Sequence, residues 1–92
     1  MNKFKDALTQ QIFDGTIVKG FPPDVLRRTV IKLTMVEAAT AIGELSTPPS
    51  NHLEKLKRDR VGQWSIRVND QYRICFKWHE NRACEIEFTD YH

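Results

Sequence analysis

Apolar and polar positions follow two different periods along this chain, and the change falls just past its middle. In the first half Phe4, Leu8 and Ile12 recur every four residues, the spacing of one helix face. Asp6 suits an N-cap and Gly15 a stop, which predicts a short helix over residues 6–14, with residues 2–5 as a brief strand ahead of it. Pro22-Pro23-Asp24 opens a second helix. There Leu26, Val30, Leu33 and Val36 form an apolar stripe against Arg27, Arg28, Lys32 and Glu37, the pattern of a core-packing helix. Ala38 to Leu45 reads as a short helical continuation broken near Gly43, and residues 46–51, with two prolines, as a connection.

From Gln63 the period becomes two. Trp64, Ile66 and Val68, then Tyr72, Ile74, Phe76 and Trp78, then Cys84, Ile86 and Phe88 alternate with polar residues, as half-buried strands do. Two helices followed by an antiparallel sheet predict an α+β layered fold. Residues opposed across an antiparallel pair share a face, so a three-residue loop Asn69-Asp70-Gln71 sets Val68 against Tyr72, Ile66 against Ile74 and Trp64 against Phe76. The same argument places the next loop at Glu80-Asn81-Arg82, with Trp78 opposite Cys84, Phe76 opposite Ile86 and Ile74 opposite Phe88. One face is then apolar, and Trp64 and Trp78 serve the core.

That register makes neighbours of two guanidinium groups. Arg67 falls opposite Arg73 on the polar face, with Ser65 opposite Cys75, Gln63 opposite Lys77, Lys77 opposite Glu85 and Arg73 opposite Thr89. Opposed like charges cost a sheet roughly 0.2–1 kcal/mol, so either a carboxylate such as Glu87 or an anionic ligand should offset them. Charge along the chain points the same way. The 92 residues carry a formal net charge of only +2, too little for a general nucleic-acid binder. Between Lys55 and Lys77, however, seven cations face only Asp59 and Asp70.

Composition sets the remaining bounds. With 40% hydrophobic and 28% charged residues the chain reads as one globular domain, residues 1–92. At this length it should bury roughly 60–65% of the surface its unfolded chain exposes, a modest core that gains from a partner. It has neither an apolar run long enough to span a bilayer nor a secretory signal pattern, so a cytoplasmic location is expected. Cys75 and Cys84 are then ordinary thiols, separated by the strand faces above. His52, His79, His92 and the cysteines lack metal-ligand spacing, and no glycine-rich phosphate loop or hydrolase motif occurs, so neither metal nor cofactor is expected.

Asp90-Tyr91-His92, the last three residues, place groups able to carry protons beside this basic region. For a phosphodiester, the Arg fork can grip two non-bridging oxygens, Lys57 adds a point charge, and both gain strength as negative charge builds on phosphorus. RNA supplies its own nucleophile in the 2′-hydroxyl, so the protein needs only a base, an acid and charge stabilisers. His92 is the natural proton carrier, Tyr91 a hydrogen-bond donor and Asp90 an orienting group.

The run from Gly62 to Phe76, with Ser65-Ile66-Arg67-Val68-Asn69 at its centre, and the closing Asp90-Tyr91-His92 resemble the HigB toxins, in particular their GraT-like branch within the RelE/ParE superfamily. The likeness is strong over residues 50–92. It implies a RelE-like fold, with two or three N-terminal helices on one face of a curved antiparallel sheet and RNA on the other. It also implies a toxin of a type II toxin-antitoxin system that cuts messenger RNA in the ribosomal A site. By this resemblance the catalytic set is Lys57, Arg73, Asp90, Tyr91 and His92, and the RNA-binding set is His52, Lys55, Arg58, Arg67, Gln71 and Lys77. Many relatives carry a catalytic His in a His-Pro-Leu-Lys-Gly stretch where this chain has Glu54-Lys55-Leu56-Lys57-Arg58. Glu54, if its proton affinity is raised, or His52, on the same strand face at roughly 6–7 Å, is the substitute.

The implied partners are a HigA-like helix-turn-helix antitoxin, the ribosome and mRNA, with operator DNA reached only through the antitoxin and no membrane. Two rival classes use the same scaffold. One is a ParE-like inhibitor that acts by binding gyrase, against which the retained Asp-Tyr-His argues. The other is an interaction module whose basic face only docks RNA or a partner.

Overall fold

A computed structural model describes residues 2–90. Helix α1 spans Ala7–Phe13 and α2 Pro23–Ala38. They are followed by strands β1 (Glu54–Lys55), β2 (Gln63–Arg67), β3 (Tyr72–His79) and β4 (Arg82–Asp90), joined in the order β1-β2-β3-β4 with every pair antiparallel. Both helices pack on one face of the sheet, as the RelE-like α+β expectation requires.

Helix α1 starts where Asp6 accepts hydrogen bonds from the Thr9 backbone N–H at 2.9 Å and from its hydroxyl at 2.6 Å. The same hydroxyl, fully buried, accepts from the Phe88 backbone N–H at 3.0 Å. Just before it, residues 2–5 lie along the outer edge of β4, with bonds from Glu85 N–H to the Asn2 carbonyl, Ile86 N–H to Lys3 and Lys5 N–H to Ile86. The segment expected as a brief strand forms a single parallel bridge, Phe4 to Ile86. Thr9 takes over the next donor where the chain turns into helix, so backbone and one hydroxyl together cover an edge that would otherwise recruit another chain.

Helix α2 buries Val25, Thr29, Leu33 and Val36, a line rotated from the expected stripe. Leu26 and Val30 are only half-buried, and Thr29 is admissible to the core because its hydroxyl donates to the Val25 carbonyl at 2.7 Å. No α-helix continues past Ala38. Residues Ile42–Ser46 and Pro49–Asn51 form two 3-10 turns instead.

The first hairpin has the expected register: Gln63, Trp64, Ser65, Ile66 and Arg67 face Lys77, Phe76, Cys75, Ile74 and Arg73. Asn69 shapes its three-residue loop by accepting from the N–H groups of Gln71 and Tyr72. The second hairpin corrects the expectation. Its loop is two residues, Glu80 and Asn81, both left-handed at φ 51° and 63°, so that His79 faces Arg82, Trp78 faces Ala83 and Lys77 faces Cys84. Such primed turns match strand twist. A bulge at Glu85, φ 49°, then takes up the extra residue, and Ile74 against Phe88 and Arg73 against Thr89 stand as expected. Lys77 therefore does not oppose Glu85, and Cys84 shares the face of Cys75 rather than lying opposite to it. Neither cysteine is in a disulfide, both are buried, and burial is the main force raising each thiol pKa.

The core joins Phe4, Ile12, Leu33, Val36 and Leu45 to Ile66, Ile74, Phe76, Ile86 and Phe88, with both tryptophans packed against it. Tyr72 stacks on Phe88 at 4.7 Å between ring centres, and Phe21 meets both edge-on. Replacing Thr9 by the isosteric Val strands the Phe88 N–H and is expected to cost about 1–3 kcal/mol, read as a lower urea midpoint with an unchanged denaturant slope.

Candidate active site

On the sheet face away from the helices, β2 and β3 present Arg67 and Arg73 side by side. Each is restrained by different groups. Arg67 pairs with Asp70 of the hairpin loop, an i to i+3 contact that the tight turn enforces. Arg73 donates from Nε to the Ser65 hydroxyl at 2.8 Å and from a terminal nitrogen to the His52 carbonyl at 2.7 Å. Ser65 is fully buried, so its hydroxyl is a rigid acceptor rather than a surface rotor.

Glu87, the carboxylate considered as compensator for the arginine pair, is engaged elsewhere. It meets Arg60 at 3.0 Å and Lys5 at 3.5 Å, and Arg60 also donates to Gln63 at 3.2 Å. Asp70 meets Arg67 in its place.

The His52 carbonyl reaches Arg73 because of the backbone before it. His52 follows the 3-10 turn Pro49–Asn51 in a left-handed conformation, φ 45° and ψ 55°, which costs a residue with a side chain about 1 kcal/mol. Asn51 holds the turn in place. Completely buried, it donates to the Leu45 and Thr47 carbonyls at 3.1 and 3.3 Å and accepts from the Lys32 ammonium at 2.5 Å. A chain of contacts thus runs from α2 through Lys32, Asn51 and the His52 carbonyl to the Arg73 guanidinium.

His52, Glu54, Arg67, Asn69, Asp70 and Arg73 line one open cleft of about 300 Å³. Glu54 enters it from β1, where it faces Ser65 across the ladder. Both residues named as substitutes for the missing family histidine therefore open onto the space occupied by the two guanidinium groups. Carboxylate or imidazole can take a proton there, while the arginines hold an anion.

The other expected site residues lie around this cleft. Gln71 donates to Asp90 at 3.2 Å, holding the end of β4 against the hairpin loop. Asp90 stands opposite Tyr72, and Thr89 opposite Arg73. Lys57 and Arg58 are exposed at the 3-10 turn Arg58–Arg60, beyond β1 and outside the cleft lining. Lys77 shares the Arg73 face but lines a separate hollow of about 90 Å³ with Lys5, Gln63 and Glu85. Lys55 lies on the opposite face, its ammonium 5.7 Å from the Trp64 ring centre, so a cation–π contact occupies it. Tyr91 and His92 lie outside the described residues.

Two supports of Arg73 were not singled out from the sequence. Asn51 sits in a stretch that reads as a plain connection, and nothing local marks it. Ser65 carries a usable signal, because it occupies the position diagonal to Arg73 in the register of the hairpin, within reach of a long side chain.

Two helices on a four-stranded antiparallel sheet form the α+β arrangement of the RelE-like toxins. A family model described as "RelE-like toxin of type II toxin-antitoxin system HigB" matches residues 2–92. The chain belongs to this HigB-like toxin family, and so to a system in which an antitoxin is the partner. It is 33% identical to "Endoribonuclease HigB" of Proteus vulgaris over 92 residues, covering 100% of this chain and 99% of that protein. It is also 35% identical to "Toxin HigB-1" of Vibrio cholerae serotype O1 over 77 residues, 83% of this chain and 81% of the relative. An uncharacterised Haemophilus influenzae protein is 40% identical over 81 residues, 87% and 80% of the two chains.

Asn51→Ala removes the side-chain bonds to Leu45, Thr47 and Lys32 that seat the turn before His52. The expected loss is about 1–3 kcal/mol of stability, measured by urea unfolding, together with faster amide exchange across residues 45–52.

Proposed function

We propose that this toxin is an endoribonuclease that cleaves mRNA in the ribosomal A site without a metal ion. The observation that carries the reading is Arg73, immobilised by Ser65 and the His52 carbonyl beside Arg67, in the same cleft as two candidate bases, Glu54 and His52. The name of the Proteus vulgaris relative, which pairs to this chain over its full length, supports the same activity.

In this mechanism the 2′-hydroxyl of the substrate attacks the adjacent phosphorus. Glu54 or His52 takes its proton, and the departing 5′-oxygen receives one from an acid, a role the family pattern gives to His92. The products are a 2′,3′-cyclic phosphate and a 5′-hydroxyl. Arg73 and Arg67 meet the extra negative charge of the phosphorane, which grows as the reaction proceeds and makes their attraction a catalytic term rather than a binding term. Tyr91 donates a hydrogen bond to the phosphate, Lys57 contributes a point charge, and Asp90, held by Gln71, orients the end of the chain. The ribosome presents the RNA strand, which is how a protein of net charge +2 acts on a polyanion. The antitoxin is a HigA-like helix-turn-helix protein through which operator DNA is engaged, and the setting is the cytoplasm. Among the described residues no helix is long and apolar enough to cross a membrane.

Arg73→Ala is expected to lower the cleavage rate on translating ribosomes by about 10²–10³ with the fold intact by circular dichroism. Arg73→Lys should recover little, because an ammonium cannot hold Ser65, the carbonyl and a phosphate in one plane. Full cleavage by Arg73→Ala refutes the mechanism. A wild-type protein that leaves mRNA intact while inhibiting gyrase supercoiling refutes the activity.

Glu54→Gln and His52→Gln separate the two bases. The variant that loses about 10²–10⁴ in single-turnover rate, together with the ascending limb of the pH–rate profile, identifies the base. Equal, small losses in both assign that proton transfer to another group.

A further inference from the structure

A second cleft opens beside the first. It encloses about 410 Å³ between α2 and the β2–β3 hairpin and is lined by Arg28, Ile31, Lys32, Ser50, Arg67, Val68 and Asn69. Three of those residues are cations and none is acidic. Two come from consecutive turns of α2, and the third, Arg67, with Asn69, lines both clefts. The two spaces are therefore neighbours across one arginine.

Arg67 is met by the Asp70 carboxylate, while the two cations of α2 repel each other. Arg28 and Lys32 are an i to i+4 like-charge pair, a spacing that weakens a helix. The Lys32 pKa is lowered, first by burial and then by the charge of Arg28. The Lys32 ammonium donates to a neutral amide, Asn51. Ile31, exposed to 55%, and buried Val68 give the cleft an apolar wall, suited to the sugar or base that accompanies a phosphate.

We infer that Arg28, Lys32 and Arg67 form a phosphodiester-binding subsite for RNA, next to the cleavage cleft and continuous with it through Arg67. The inference rests on the nuclease reading for the nature of its ligand. Its chemistry is that of a backbone contact: charge on phosphate oxygens, no reading of bases, and affinity that falls with salt. Because Lys32 also seats Asn51, occupation of this subsite bears on the same turn that presents the His52 carbonyl to Arg73. Binding of the flanking strand and positioning of the catalytic guanidinium share one lysine.

The test uses Arg28→Ala and Arg28→Lys, since Arg28 is an exposed helix residue whose replacement spares Asn51, with the Arg28→Ala/Lys32→Gln double variant as extension. Binding is measured across a salt series to two probes: a single-stranded RNA oligonucleotide with 2′-deoxyribose at the cleavable position, and vacant small ribosomal subunits. Arg28→Ala is expected to weaken binding several-fold and to reduce the slope of log K against log salt by about 0.7, one phosphate contact on a single strand. Arg28→Lys should restore the slope. Loss on the oligonucleotide assigns the subsite to the substrate strand, and loss confined to the ribosomal subunit assigns it to ribosomal RNA. An unchanged slope with both probes, or no RNA binding by the wild type with either, overturns the inference. Cleavage plays no part in this readout, so failure of the nuclease reading is seen separately, in wild-type activity on translating ribosomes.

Discussion

Two guanidinium groups held side by side on the open face of a hairpin are the constraint around which the functional half of this molecule is arranged. A three-residue loop sets Arg67 opposite Arg73, and their mutual repulsion is met locally and asymmetrically. Arg67 takes the loop carboxylate of Asp70. Arg73 takes a buried hydroxyl and a backbone carbonyl, neither of which cancels its charge. Those two bonds take away the freedom of the Arg73 side chain and aim its guanidinium into the cleft. Preorganisation of that kind makes charge effective on a transition state, because no reorganisation is left for the moment of reaction.

The carbonyl that positions Arg73 belongs to a segment with little regular structure of its own. Within residues 45–52 one buried amide, Asn51, ties the Leu45 and Thr47 carbonyls to Lys32 of α2. A helix whose inner side serves the core thus steers, from its outer side, a loop on the far side of the sheet edge. The left-handed His52 is the strained point of this path. A strained non-glycine residue persists where neighbouring contacts over-determine it, and here those contacts are Asn51 before it and Arg73 at its own carbonyl. The basic cleft of Arg28, Lys32 and Arg67 lies along the same path, so phosphate recognition and arginine positioning draw on one set of contacts.

On the opposite edge, residues 2–5 and the Thr9 hydroxyl satisfy β4. The site-bearing edge is instead the two-residue β1, which brings Glu54 to the cleft and then leaves the sheet. One edge is sealed by the start of the chain, while the other is kept short, and both arrangements limit unwanted pairing.

Periodicity along the chain determined the α+β class, the antiparallel order, the first hairpin register and hence the Arg67–Arg73 pair, because side-chain alternation in a strand is strictly two and permits one register per loop length. The resemblance to the HigB toxins, rather than periodicity, named Glu54 and His52 as substitutes for a family histidine, and both open onto the cleft. Tertiary structure decided what alternation cannot carry. The left-handed Glu80-Asn81 turn and the bulge at Glu85 moved Cys84 and Ala83 across the sheet, since one inserted residue reverses faces without altering composition. Thr29 entered the core by bonding its own helix, and Lys55 was drawn over Trp64 and away from the cleft. Asn51 became a structural keystone only where α2, two 3-10 turns and β3 converge. Long-range convergence leaves no local periodic trace, which is why the arginines were legible in the sequence and the groups that hold them were not.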